Sequence, residues 1–164
     1  MSDPVIVEIV VGAPADAVWR ALREPPEIRR WFGWDYDGID DEIQEIFHTA
    51  ATVDEAARTI EFGATDRIEV EDQGERTVVR LVRAAPAGQA GWDGIYDEIN
   101  EGWLSFLQQM RFQLERHPGQ ERRAAHHSLD GEEWFRSEHQ RGVVNADGEL
   151  VITTPRRVIV SSFT

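Results

Sequence analysis

Gly94-Ile95-Tyr96-Asp97-Glu98-Ile99-Asn100-Glu101-Gly102-Trp103-Leu104-Ser105-Phe106-Leu107-Gln108-Gln109-Met110-Arg111-Phe112-Gln113-Leu114-Glu115-Arg116 is the stretch whose reading decides the fold. Ile95, Ile99, Trp103, Phe106, Leu107, Met110 and Leu114 recur at helical spacing and trace one apolar stripe. Asp97, Glu98, Glu101, Gln108, Arg111 and Glu115 lie mostly off it. Asp93 caps the start, and His117-Pro118-Gly119 ends the helix. At 1.5 Å per residue the helix is about 34 Å long. A stripe of that length needs a broad apolar surface to cover it.

The residues upstream supply one. Val5-Ile6-Val7-Glu8-Ile9-Val10-Val11 is rich in β-branched residues and reads as a strand, broken by Gly12. Pro14 opens a short helix whose stripe is Val18 and Leu22, with Trp19 beside it; Pro25 and Pro26 stop it. A second short helix restarts at Pro26, with Ile28, Trp31 and Phe32 on one face and Gly33 at its end. Residues 34–57 carry both helical spacing (Ile43, Ile46, Phe47) and β-branched content, so helix and strand both stay open there. Thr59 to Phe62, Arg67 to Val70 and Thr77 to Arg83 are strands, separated by the turn sequences Gly63-Ala64-Thr65-Asp66 and Asp72-Gln73-Gly74-Glu75. Short loops between them predict an antiparallel meander. Past the long helix, Asp130 and Glu133 resemble a capping box for a short helix at Trp134-Phe135. Gly142 to Asn145, a turn at Ala146-Asp147-Gly148, Leu150 to Thr153 and Val158 to Val160 follow as strands.

The predicted class is therefore α+β: a helix-grip fold, with a curved antiparallel sheet around a long C-terminal helix, two short helices after the first strand, and a C-terminal helix/strand extension. Residues 1–117 form the domain and 118–164 the extension. About forty residues are too few for an independent core, so the extension is expected to pack on the main domain or on a partner subunit. A bent sheet and a straight helix leave space between them. Trp31, Trp34, Phe62, Trp92, Tyr96, Trp103 and Phe106, with Leu107 and Met110, are the side chains expected to line it.

The element order and three strings resemble the START/SRPBCC superfamily, and within it the bacterial branch similar to the C-terminal domain of heat-shock-chaperone ATPase activators and to polyketide cyclases. The strings are Ala13-Pro14-Ala15-Asp16-Ala17-Val18-Trp19-Arg20-Ala21-Leu22, Pro26-Glu27-Ile28-Arg29-Arg30-Trp31-Phe32, and Gly102-Trp103-Leu104-Ser105-Phe106-Leu107 with Leu114-Glu115. They cover the ends of residues 5–116 well and the middle poorly. That family typically ends soon after its long helix, so the tail from Gln120 departs from it. The resemblance implies a hydrophobic cavity and no shared catalytic motif; fold alone does not fix function.

Composition narrows the chemistry. The net charge is -14, and every one of the 17 basic residues is Arg. Nucleic-acid binding needs a clustered basic surface, which is missing. Without Lys there is no lysine Schiff base, and without Cys there is no thiol nucleophile, disulfide or thiolate metal site. No cofactor is expected. No secretory signal or membrane span is evident, so the expected location is cytoplasmic. Asp35, Asp37, Asp40, Asp41 and Glu42 fail the calcium-loop count and read as a solvated acidic loop. His126-His127 and His139 lack metal-ligand spacing. Ser105 lacks a nucleophile context, and Arg20, Arg23, Arg29 and Arg30 read as a solvated helix surface.

The primary expectation is non-catalytic binding of a hydrophobic or aromatic small molecule. The alternative is a protein-interaction or chaperone-regulator module, with a homodimer built through the C-terminal strands. The third reading is a cyclase or aromatase, for which His48, Tyr96 and Arg80 or Arg83 are the available acid–base groups.

Overall fold

In the computed structural model, residues 5–33, 37–63, 66–83, 98–123, 131–155 and 157–163 are described. The β-branched run forms strand β1 (Val5–Val11). Pro14, extended at φ -64° and ψ 153°, launches helix α1 (Ala15–Arg23), and the two prolines start the single-turn helix α2 (Pro25–Ile28). Helical hydrogen bonds continue to Phe32, and Gly33 (φ +58°) reverses the chain. The stretch left open by its sequence resolves as helix α3 (Ile39–Gln44), a π-helical turn (Glu45–Thr49) and strand β2 (Ala51–Asp54). Strands β3 (Thr59–Phe62), β4 (Asp66–Asp72) and β5 (Thr77–Arg83) follow as a meander.

These strands form one antiparallel sheet in the order β1-β5-β4-β3-β2. Alternation sends Val7, Ile9, Val11, Ile60, Ile68, Val70, Val79 and Leu81 to one face, where they are buried. Helix α4 (Glu98–Arg116) carries Trp103, Leu107 and Met110 into the same core. Phe106 and Leu114 pack at its margin. Glu115 fixes the far end of α4 to the sheet, accepting a 2.8 Å hydrogen bond from the Gly12 N–H.

The structure is thus α+β, but the long helix is mid-chain and a whole second sheet follows it. Strands β6 (Arg122–Arg123), β7 (Gly131–Arg136), β8 (Arg141–Asn145), β9 (Leu150–Thr153) and β10 (Val158–Phe163) pair antiparallel in the order β6-β10-β9-β8-β7. The helix expected at Trp134-Phe135 is strand β7. Its register against β8 places Phe135 beside Gly142, and the ring lies over the glycine. Cross-strand packing there outweighs a local capping signal.

The second sheet also accounts for the α4 residues off the apolar stripe. Phe112 is fully buried against Leu150 and Ile152, with Trp134 and Phe163 around it. Glu101 is 1% exposed and accepts a hydrogen bond from the Thr154 hydroxyl, with the Arg157 guanidinium 3.8 Å away. Gln140 donates to the Glu101 carbonyl (2.7 Å) and accepts from the Ser105 hydroxyl (2.8 Å). Single-stripe periodicity predicts a solvated back for α4; instead the back is a polar seam. Glu101, Ser105 and Gln140 are satisfied by one another and by Thr154, as burial of polar groups requires, while the buried Gln113 Oε1 has no hydrogen-bond partner among the described residues.

At Gly131 a methyl group would sit 2.1 Å from the Val144 carbonyl oxygen and 2.6 Å from the Asn145 Cα. Both obstacles are backbone. Gly131→Ala is therefore expected to lower the urea midpoint by an amount equivalent to about 1–3 kcal/mol, and an unchanged midpoint would show that β7 does not pair as closely as described.

Candidate functional site

Between its first row, Val11–Thr77–Asp72, and its last, the inner face of the first sheet is apolar. Two successive rows run Ile9–Val79–Val70 and Val7–Leu81–Ile68–Ile60 across paired strands. The next row is Phe62–Asp66–Arg83, since Phe62 pairs with Asp66 and Asp66 with Arg83. Residues directly opposite share a face, and the side chains confirm it: the Arg83 Nε lies 3.2 Å from Asp66 Oδ1, with only 9% and 14% of the two side chains exposed. From the first turn of α4, the buried Asn100 accepts a 2.7 Å hydrogen bond from Arg83 Nη1. An ion pair closed by an amide therefore ends an otherwise hydrophobic surface.

Aromatic rings adjoin this row. Phe62 packs on Trp103 at a centroid distance of 5.4 Å and on Phe47 at 5.3 Å, the latter edge to face. Phe47 also meets Phe32 at 5.2 Å and Trp31 at 5.9 Å, and Phe32 meets Phe106 at 5.1 Å. The interplanar angles of the Phe47 pairs with Phe32, Trp31 and Phe62 lie between 85° and 87°, the T-shaped arrangement that aromatic quadrupoles favour. Within this chain of rings the exposures differ. Trp31 and Phe47 are fully buried, Phe32 and Trp103 nearly so, and Phe62 and Phe106 are half-buried. The inner part is packed core; Phe62 and Phe106 keep accessible ring edges, and Phe62 stands in the same row as the ion pair.

The expected lining residues divide along that line. Trp31, Leu107 and Met110 are wholly buried, and Trp31 is pinned by its indole N–H donating to the Ala21 carbonyl at 2.8 Å. Phe62 packs on Trp103 at the rim, and Phe106 joins the cluster through Phe32, whose ring lies 5.1 Å from its own. Trp34, Trp92 and Tyr96 lie outside the described residues. Of the proposed acid–base groups, Arg83 points inward. Arg80 sits on the opposite face, its Nε 2.6 Å from Glu8 Oε2, and the Glu8 hydrogen bond holds its guanidinium pKa above the ordinary arginine value. The two arginines are three positions apart on one strand, an odd offset, which is why they face opposite ways. His48 is half-buried on the π-helical turn, and its buried Nε2 has no hydrogen-bond partner among the described residues. The sequence pattern did not single out Phe47, Phe32, Asp66 or Asn100 for this site.

Other features are less suited to a ligand. Arg29 pairs with Asp40, and Arg30 with Glu27 and Glu121, so that basic helix surface is internally neutralised. A groove of about 510 Å³ at the β7–β8 turn is lined chiefly by polar side chains, including Arg136, Glu138, His139 and Arg141. A second of about 620 Å³ at the β2 edge is lined by Asp54, Glu55 and Glu61. No group of three or more metal-ligating side chains occurs among the described residues, and no described helix is long and apolar enough to cross a membrane. Comparison with protein-family models, with curated proteins and with solved structures finds no match to this chain.

Proposed function

We propose that this protein binds a small, largely apolar, ring-bearing molecule at the Phe62–Trp103–Phe106 rim, in a helix-grip arrangement like that of the START/SRPBCC proteins its strings resemble. The observation that carries this is the Arg83–Asp66 pair closing an apolar sheet face. Desolvating two charges costs several kcal/mol per ion, roughly balancing their mutual attraction, so a buried pair contributes little to stability that Leu or Val would not. A costly polar group beside accessible aromatic edges is the usual composition of a ligand site: mostly apolar walls with a few placed polar groups. The ring edges supply contact area at low entropic cost, and the pair supplies orientation. Binding without chemistry follows from the same features, because both charged groups are engaged with each other.

The test is thermal denaturation with a panel of fused-ring compounds. A ligand at ten times its dissociation constant stabilises by about 1.4 kcal/mol, which for a chain of this size raises Tm by about 3–6 °C. The shift is expected for the wild type and is expected to fall away in Phe62→Ala and Phe106→Ala. Absence of any shift across the panel, or a shift that both variants keep, would contradict the assignment.

A further inference from the structure

We infer that the rim selects neutral ligands and rejects carboxylates. This rests on the ligand-binding reading above and specifies its substrate class as an uncharged ring compound with a polar hydroxyl or carbonyl at one end. The reasoning is electrostatic. Among the described residues, Arg83 is the one cation on the inner face of the first sheet, and it already stands 3.2 Å from a carboxylate and 2.7 Å from the Asn100 amide oxygen. A ligand carboxylate would bring a second anion to one guanidinium, within a few ångströms of Asp66, in a largely desolvated corner. Like charges at such distances repel strongly where water is excluded. The protein as a whole adds to this, since its net charge of -14 opposes anions on approach. A neutral polar group meets a different field. A buried ion pair is a strong local dipole, and a hydroxyl or carbonyl can align with it without any charge being transferred from water. The half-buried rings of Phe62 and Phe106 then cover the apolar body. Sheet register keeps the two groups adjacent: Asp66 and Arg83 are paired residues on neighbouring strands, and their side chains meet on the same face.

The experiment compares 2-naphthol with 2-naphthoic acid near pH 7.5, where the first is uncharged and the second ionised, by calorimetric titration of the full chain. Wild type is expected to bind the naphthol at least about tenfold more tightly than the naphthoate. Asp66→Asn keeps the side-chain shape and removes the competing charge, so it is expected to raise naphthoate affinity by about tenfold or more; since it also removes half of the dipole that a hydroxyl aligns with, naphthol affinity is expected to fall, and the preference for the neutral compound is lost. The wild-type ranking stands as a test even where Asp66→Asn does not fold, which its circular dichroism would show. Equal or tighter naphthoate binding by wild type overturns the charge selection and leaves the ligand-binding reading standing. Binding of neither compound, with no naphthoate gain in a folded Asp66→Asn, overturns both.

Discussion

Phe47→Ala is expected to be among the most damaging single substitutions in the chain, at about 3–5 kcal/mol. The side chain is fully buried and touches four other rings, those of Trp31, Phe32, Phe62 and Trp103. Truncation removes the transfer free energy of the ring and leaves a hole. Its neighbours are fixed by a sheet, by α4 and by the Trp31 bond to Ala21, so they cannot collapse to fill it. Each lost edge-to-face pair adds about 0.5–1.5 kcal/mol beyond area. Since domains are stable by about 5–15 kcal/mol, much of the total is at stake. Equilibrium urea unfolding checks it, with half-buried Phe106→Ala expected to cost clearly less. A Phe47→Ala cost below about 1 kcal/mol would mean that the ring cluster is not the packed centre of this core.

Asp66→Ala carries the second large effect, and the double variant makes it informative. Removing the carboxylate takes a counter-charge from the Arg83 guanidinium, whose side chain is 9% exposed and which keeps its hydrogen bond to Asn100. Breaking a buried pair in this way costs about 3–5 kcal/mol, whereas replacing both partners by hydrophobic residues is often neutral or stabilising. Asp66→Leu with Arg83→Leu is therefore expected to recover most of the stability lost in Asp66→Ala, while losing orientation of a bound ring compound. Recovery without binding identifies the pair as a recognition device. A double variant as unstable as the single one would instead make the pair structural.

Much of this architecture is legible in the residues. Strands β1, β3, β4 and β5, the two proline-started helices and the C-terminal end of α4 follow from β-branched runs, Pro and Gly punctuation and 3.6-residue periodicity. The site row was missed, because Asp66 reads as a turn residue and the next turn lies one residue further along the chain than its sequence signal. Taking Asp72-Gln73-Gly74-Glu75 as the turn closes Glu71 on Arg76 and carries Asp66 opposite Leu81, whereas the loop is residues 73–76, so that Asp72 pairs with Thr77 and Asp66 with Arg83. What local patterns could not show was that α4 is covered on both faces. Glu101, Ser105 and Gln108 are polar, and polarity signals solvent unless a partner is known; their partners, Thr154 and Gln140, lie 53 and 35 residues away from Glu101 and Ser105. Phe47 was hidden for another reason. It lies inside a π-helical turn, Glu45–Thr49, in a stretch whose helical spacing at Ile43 and Phe47 competes with β-branched content, so helix and strand both stayed open. The Trp134-Phe135 segment shows tertiary pairing overriding a local helix signal.

The central claim is that a ring compound sits at the end of the sheet where Phe62, Asp66, Arg83 and Trp103 meet. Titration of the isotope-labelled chain with 2-naphthol, followed by NMR, addresses it most directly. The Trp103 indole N–H, assigned by its disappearance in Trp103→Phe, and the backbone amides of Phe62, Asp66 and Arg83 are predicted to shift together and to saturate at one dissociation constant. Shifts confined to the β7–β8 turn or the β2 edge, with those four signals unmoved at saturating naphthol, would contradict it.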